Sequence, residues 1–436
     1  MNMRTGILFI LVFTIIIYSS AFQVFPQASY QAYFGNLHSH TSNSDGTGEP
    51  ADAFTYARYT AGLDFNAVTD HLEQIGNIPF LDPEWADCQA AANNATVNGT
   101  FVGIAGWEWG SPLHGHVNVF NTTDLITDAG NLWYTTDLPA FYSWVLTHTP
   151  AFAQFNHPGD GEGYILTNWN DFEYINQAND SAFRLIEFQT VQQATDFYEN
   201  ALLTGRHLSP VWNQDNHSAD WGTKNDGRAG IWSASLTRQA LFDAINAGRT
   251  FATMDKNAKI WIDLGGVEMG SQLPIQASLP LHLYLADANN ESWTSIELVT
   301  KNGTLLNLGT HSGNLDTTFS INLTNDQFVF VRAIQADNDY IWSAPVYITG
   351  TVTGFDDVSP NMDIQLFPNP AREYFFINAF SDNSIVELYS IKGELIYRQQ
   401  FQKSLKINSS IMEPGVYFVR VTVFGKTFTQ KVLITQ

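Results

Sequence analysis

The chain has 436 residues, 44% apolar and 14% aromatic, with 20 Lys and Arg against 43 Asp and Glu for a formal charge of −23. That length suits about three domains, the composition excludes a disordered or fibrous chain, and the charge argues against nucleic-acid and anionic-lipid partners. A single cysteine, Cys88, excludes an intrachain disulfide and a Cys-rich zinc site, and no lysine precedes Lys224, which excludes a Schiff-base lysine from the first half.

In chain order, residues 1–21 combine Arg4, an apolar run from Gly6 to Tyr18, and the small residues Ser19, Ser20 and Ala21. This reads as a signal peptide, since the run is shorter than the roughly 20 residues of a membrane span. No membrane span is expected once it is removed. From Tyr33 to about Thr253, apolar strand-like runs alternate with helical ones, which predicts an α/β fold with parallel strands over residues 22–255. Strands are expected at Tyr33–Leu37, Phe65–Thr69, Phe101–Trp107, Val117–Phe120, Phe152–Asn156, Arg184–Phe188, Pro210–Gln214 and Ile231–Ala234. Helices are expected at Pro50–Ala61, stopped by Gly62, and over Thr237–Ala247, with Thr237 as N-cap and Gly248 as stop. Six or more such strands point to a barrel.

After Asp255 the texture changes to Gly-rich turns and alternating runs (Leu281–Leu285, Ser295–Thr300, Thr318–Leu323, Phe328–Ile334), a β-sandwich over 256–350. Residues 351–361, with Pro360, read as a linker. Residues 362–436 read as a second small β-sandwich, with strands at Tyr374–Ala379, Ile385–Ser390, Glu394–Gln400, Val416–Val423 and Thr427–Leu433.

Nine of the eleven histidines fall between His38 and His217, and the placement carries the chemistry. His38-Ser39-His40 follows the first strand, Thr69-Asp70-His71 closes the second, Glu108 ends the third, and His114 and His116 open the fourth. Asn156-His157-Pro158 and Asp215-Asn216-His217 close two later strands. Strand C-terminal ends are where a parallel α/β barrel builds its site. Residues i and i+2 of a strand share a face, so His38 with His40, and Asp215 with His217, can each present two ligands to one centre; His114 would share a face with His116. Zinc and similar ions take imidazole nitrogen and carboxylate oxygen, and several held together would supply the positive charge this half lacks. The tryptophans Trp109 and Trp221 flank these blocks and are candidates to line a pocket. Neither G-x-S-x-G nor H-E-x-x-H occurs, so serine hydrolase and zincin readings lack their signature residues.

The blocks Asn36-Leu37-His38-Ser39-His40-Thr41 with Ser44-Asp45-Gly46, Gly62-Leu63-Asp64 leading to Val68-Thr69-Asp70-His71, and then Gly106-Trp107-Glu108-Trp109, Gly115-His116-Val117-Asn118, Asn156-His157-Pro158 and Asp215-Asn216-His217 together resemble the polymerase and histidinol phosphatase (PHP) superfamily. The resemblance spans about residues 33 to 255 and implies a distorted (β/α)7 barrel with a centre of two or three divalent metals (Zn, Mn or Fe). It assigns His38, His40, Glu108 and Asp215 to one metal, Asp45, His71 and His217 to a second, and Glu108, His116 and His157 to a third, with Glu108 bridging. Position 45 is histidine in some members. Asp70 is expected to orient a ligand or a turn. The run Arg228-Ala229-Gly230-Ile231-Trp232, with Ser235-Leu236-Thr237-Arg238 and Gly248-Arg249-Thr250-Phe251-Ala252-Thr253, is similar to the carbaryl-hydrolase-like branch.

The implied function is a metal-dependent hydrolase of small-molecule esters, first a phosphoesterase using a metal-bridging hydroxide, with Glu108 and Asp215 catalytic and Arg228 and His114 binding substrate. The alternatives are hydrolysis of a carboxylester, carbamate or amide, and a surface protein that binds carbohydrate or metal without turnover. At the C-terminus, Phe367-Pro368-Asn369-Pro370-Ala371, Leu388-Tyr389-Ser390-Ile391-Lys392-Gly393, Glu413-Pro414-Gly415-Val416-Tyr417-Phe418 and Lys431-Val432-Leu433-Ile434 resemble the type A sorting domain of the type IX secretion system. That implies the type IX machinery as a partner, and a product secreted or held on the surface of a Bacteroidetes-type cell.

Overall fold

The computed structural model describes residues 29–75, 83–126, 138–159, 167–276, 278–323, 326–350, 365–378, 384–423 and 426–435. The expected signal peptide (1–21) and linker (351–361) lie outside them. The chain divides into two compact units, Met1–Val352 and Thr353–Gln436.

Each of the eight strands expected between Tyr33 and Ala234 has a counterpart: β1 (Gln31–Asn36), β2 (Phe65–Val68), β3 (Val102–Ser111), β4 (Gly115–Phe120), β5 (Phe152–Phe155), β6 (Phe183–Phe188), β7 (Ser209–Trp212) and β8 (Arg228–Ser233), followed by β9 (Thr250–Thr253). They lie in the order β9-β8-β1-β2-β3-β4-β5-β6-β7. The all-parallel expectation fails in two places. β1, β2 and β3 run parallel, as do β5, β6 and β7, but β4 is antiparallel to both neighbours and β8 is antiparallel to β1. The cause is local: only Pro112, Leu113 and His114 separate β3 from β4, and a parallel crossover needs a dozen or more residues. A helix therefore does not follow every strand.

Within this order the β1–β7 array closes on itself. The segment after β7 runs beside the segment after β1 through a parallel bridge of Ser39 with Asn216, with His40 N donating to Asn216 O at 2.8 Å and Asp215 N to His38 O at 3.1 Å. Buried amides seal the seam: Asn213 Oδ1 accepts from Leu37 N (2.7 Å) and Asn36 Oδ1 from Gln214 N (3.0 Å). These bonds satisfy groups that would be costly unpaired in the interior, and they set the register of both ligand-bearing segments.

The helix Pro50–Tyr59 starts on a proline, which loses nothing by lacking an N–H there, and buries Ala53, Phe54 and Ala57. The helix Arg238–Asn246 is capped by Thr237, whose side chain accepts from Ala240 N, and buries Leu241, Phe242, Ala244 and Ile245. Gly248 after it has φ +71°, the left-handed stop that glycine adopts without strain.

Residues 256–350 are all-β, with strands Ser278–Ala286, Trp293–Thr300, Leu315–Asn322 and Phe328–Gln335 covering the expected runs. They are continuous with the α/β part and do not form a separate compact unit. Tyr340–Ser343 pairs with β9 on one side and with Phe328–Gln335 on the other. One apolar core joins Ala32, Trp232 and Phe251 to Ile260, Trp261, Leu283 and Val331.

Within this layer His282 is buried between two carboxylates, Nδ1 at 2.8 Å from Asp263 Oδ2 and Nε2 at 2.8 Å from Asp316 Oδ1. Burial lowers its pKa, but the two carboxylates outweigh burial and leave it above the ordinary value. A raised folded pKa contributes stability that is complete below the unfolded pKa, near 6.5, and fades as pH rises through the folded value. His282→Gln is therefore expected to destabilise by roughly 1–3 kcal/mol at pH 5.5 and by clearly less at pH 9, read from denaturant midpoints. A pH-independent loss would refute the linkage.

In the second unit, the sheets Gln365–Phe367/Tyr374–Asn378/Ser404–Asn408 and Leu395–Phe401/Ser384–Ser390/Gly415–Val423/Lys426–Ile434 enclose Phe375, Ile377, Val386, Leu388, Val419 and Val432. Among the described residues no helix is long and apolar enough to cross a membrane.

Candidate metal centre

The segments that leave β1, β2, β5 and β7, together with β3 and β4, converge on Glu108, a carboxylate only 1% exposed. Its Oε1 lies 3.3 Å from His38 Nε2, 3.3 Å from His116 Nδ1 and 3.6 Å from His157 Nε2. Its Oε2 lies 3.1 Å from His71 Nδ1 and 3.4 Å from His40 Nε2. Asp215 Oδ1 stands 3.0 Å from His40 Nε2 and 3.2 Å from His38 Nε2. Asp45 Oδ1 is 3.3 Å from His217 Nε2 and 3.7 Å from His71 Nε2. The nine residues fall into four overlapping groups whose ligand atoms lie within 4.8 Å of one another: His40, Asp45, His71 and His217; His38, His157 and Asp215; His38, His40 and Glu108; Glu108, His116 and His157.

Local geometry aims these side chains. His157 and Asp215 have φ +30° and +46°, a region that costs a non-glycine residue about 1–3 kcal/mol and that persists where surroundings over-determine it. Asp70, as expected, holds a turn. Its carboxylate accepts from Thr41 N (2.7 Å), Thr41 Oγ1 (2.6 Å) and Ser44 Oγ (2.6 Å), fixing the loop that presents Asp45. Trp221 Nε1 donates to His40 O at 3.0 Å. Trp109 is buried and stacked on Phe141 at 4.3 Å, so it belongs to the core.

Electrostatics follow from crowding. Burial pushes Glu108 and Asp215 up, but the surrounding imidazoles prevail and hold both carboxylates well below their usual range. Asp45 is drawn down to about 2, burial being outweighed by His217 and His71. Burial depresses His157, yet Glu108 and Glu187 carry it to about 9, while burial leaves His40 below its ordinary value. Glu108 Oε2, Asp215 Oδ1 and His71 Nδ1 are buried without a hydrogen bond, and the Nε2 atoms of His38 and His40 face each other at 3.1 Å. Ionised oxygens and imidazole nitrogens turned inward on one another, short of donors, are a donor set that divalent cations fit.

One residue escaped the sequence reading. Glu187, on β6 and fully buried, accepts from His157 N at 3.0 Å and contacts His38 Nδ1 at 3.0 and 3.1 Å through its two oxygens. A carboxylate on Nδ1 turns Nε2 toward the centre and raises its basicity. The available signal was one acid inside the apolar run Leu185-Ile186-Glu187-Phe188. Glu187→Gln is expected to keep the fold and lower metal affinity about 10–100-fold, measured by competition with a chelator; unchanged affinity would remove this role.

Arg228 and His114 belong to none of the four groups. Arg228 is buried, donating to Asn225 O (3.0 Å) and Gly227 O (2.7 Å). His114 sits in the β3–β4 turn before Gly115, not on a strand face with His116, and its Nδ1 meets Thr167 Oγ1 at 3.1 Å.

Residues 365–435 match the family described as the secretion system C-terminal sorting domain. The tail is that sorting domain, so the chain is a type IX secretion cargo, delivered to the surface or the exterior of a Bacteroidetes-type cell. No curated protein matches. Among solved structures, the chain is similar to a two-domain protein from Bacteroides vulgatus containing a predicted PHP-like metal-dependent phosphoesterase. The identity is 14%, covering 73% of this chain and 95% of that one, with a TM-score of 0.41. It is also similar to PsfC from Pseudomonas syringae, at 15% identity over 50% of this chain and 90% of that one, with a TM-score of 0.35.

Proposed function

We propose that the chain is an exported metal-dependent hydrolase of the PHP type, a phosphoesterase on a distorted (β/α)7 barrel, with residues 1–21 removed on export. The observation that supports it most is the clustering of eight imidazole and carboxylate side chains around one buried glutamate. His38, His40, Glu108 and Asp215 would hold one ion, Asp45, His71 and His217 a second, and Glu108, His116 and His157 a third. Such ions supply Lewis-acid polarisation of the ester and a lowered pKa for water.

The protein's own part is positioning. Glu108 turns each oxygen toward histidines from different segments and so ties the groups together. Asp215, ionised and with its side chain 18% exposed, faces solvent enough to accept a hydrogen bond from the attacking water and orient it. His114, in the turn two residues from His116, and Arg228 are the proposed substrate contacts. One observation favours a second reading, hydrolysis of a carboxylester, carbamate or amide: Arg228 directs Nη1 to backbone carbonyls, which leaves less of it for a phosphate.

Hydrolysis of p-nitrophenyl phosphate, bis-p-nitrophenyl phosphate and p-nitrophenyl acetate separates the two. Release from a phosphate ester, inhibited by inorganic phosphate and abolished by chelation, supports the phosphoesterase. Turnover of the acetate alone replaces it with the second reading.

A further inference from the structure

A cavity of about 600 Å³ opens where β6 and β7 begin, walled on its other side by residues of the all-β layer, Gly270, Gln272, Gln327, Phe328 and Tyr347 among them. Its volume is that of a small-ligand site. It is not the metal centre, since Arg184 lines it whereas Glu187 contacts His38, and three residues, about 10 Å of strand, separate the two along β6.

The charges in its wall are unequally engaged. Asp180 is occupied by His207, accepting its N–H at 2.8 Å and meeting Nδ1 at 2.7 Å. Arg206 is fully buried and gives its donors to Phe172 O, Asn179 Oδ1 and Glu173 O. Arg184 is different. Its Nε is shielded from solvent without a hydrogen bond, and among the described residues its guanidinium has neither a hydrogen-bond nor an ion-pair partner. It is one of only four basic residues before Lys224, and a guanidinium fork matches a carboxylate. Around it stand amides and one accessible ring: Gln177 and Gln327 offer donors and acceptors, Gln272 keeps its Oε1 while its Nε2 meets His207 Nε2 at 2.6 Å, and Tyr174 is 39% exposed, whereas Tyr347 is buried against His207 and closes the floor.

We propose that this cavity binds a sugar acid, with its carboxylate on Arg184, its hydroxyls on the glutamine amides and its ring against Tyr174. For an exported protein the two sources are a free uronic acid and a segment of an acidic polysaccharide. The proposal does not depend on the hydrolase reading, because it uses no residue of the metal centre.

The test is calorimetric titration of the full chain with galacturonate, trigalacturonate and glucose, repeated on Arg184→Gln and Gln327→Ala, with melting temperature and metal content as controls. Binding of an acid in preference to glucose, weakened at least about tenfold in Arg184→Gln and less in Gln327→Ala, is expected. Tighter binding of the trimer assigns the polysaccharide, and equal binding assigns the free acid. Failure of both acids to bind, equal binding of glucose, or an affinity unmoved by Arg184→Gln at unchanged melting temperature overturns the proposal.

Discussion

Glu108→Ala is expected to lower ester hydrolysis by at least about 10³-fold and to strip the centre of bound metal. The size of the effect follows from topology. Among the described residues Glu108 is the one carboxylate within 3.6 Å of five imidazoles, those of His38, His40, His71, His116 and His157, so deleting it removes a ligand from the first and third ions and the carboxylate that faces His71, a ligand of the second. Without metal the same deletion takes from the buried His38 and His157, both raised in pKa, one of the carboxylates they face, and losing one partner of a buried ion pair costs roughly 3–5 kcal/mol. Glu108→Gln separates the two effects, since it keeps the volume and removes only the charge. Retained turnover in Glu108→Ala with a normal melting temperature would show that the cluster is structural.

Chelation is the second large effect. Removing metal from the full chain is expected to abolish hydrolysis and to withdraw about 4 kcal/mol of stability where the free ion had been a thousandfold above its Kd. Restoring Zn²⁺ or Mn²⁺ should return both. The stability lost on chelation shrinks on acidification, for a definite reason. Ligation requires neutral imidazole, and His157, raised to about 9 without metal, must release a proton to bind. Affinity therefore falls as pH falls, while the carboxylates, held low by their imidazole neighbours, stay ionised. Activity indifferent to chelator, or affinity that rises on acidification, would contradict this.

Much of the site was legible because its residues recur in a physical pattern. His38 with His40, and Asp215 with His217, are i, i+2 pairs at strand ends, and composition had left the first half short of positive charge. Glu187 was hidden because it supports His38 and His157 from a neighbouring strand, and a lone acid in an apolar run gives no spacing to read. The strand face expected for His114 fails because the turn Pro112–His114 precedes β4, which begins at Gly115. The same short turn reversed β4, which an alternation of strand and helix signals does not encode. Continuity of residues 256–350 with the α/β sheet was equally invisible, since the pairing of β9 with Tyr340–Ser343 joins segments far apart in sequence.

The most direct test of the account is the metal content of the full chain, purified without chelator and measured by elemental analysis beside Glu108→Ala. About two to three divalent ions per chain are expected, with a clear deficit in the variant. A chain that remains metal-free after dialysis against Zn²⁺ and Mn²⁺ would contradict this.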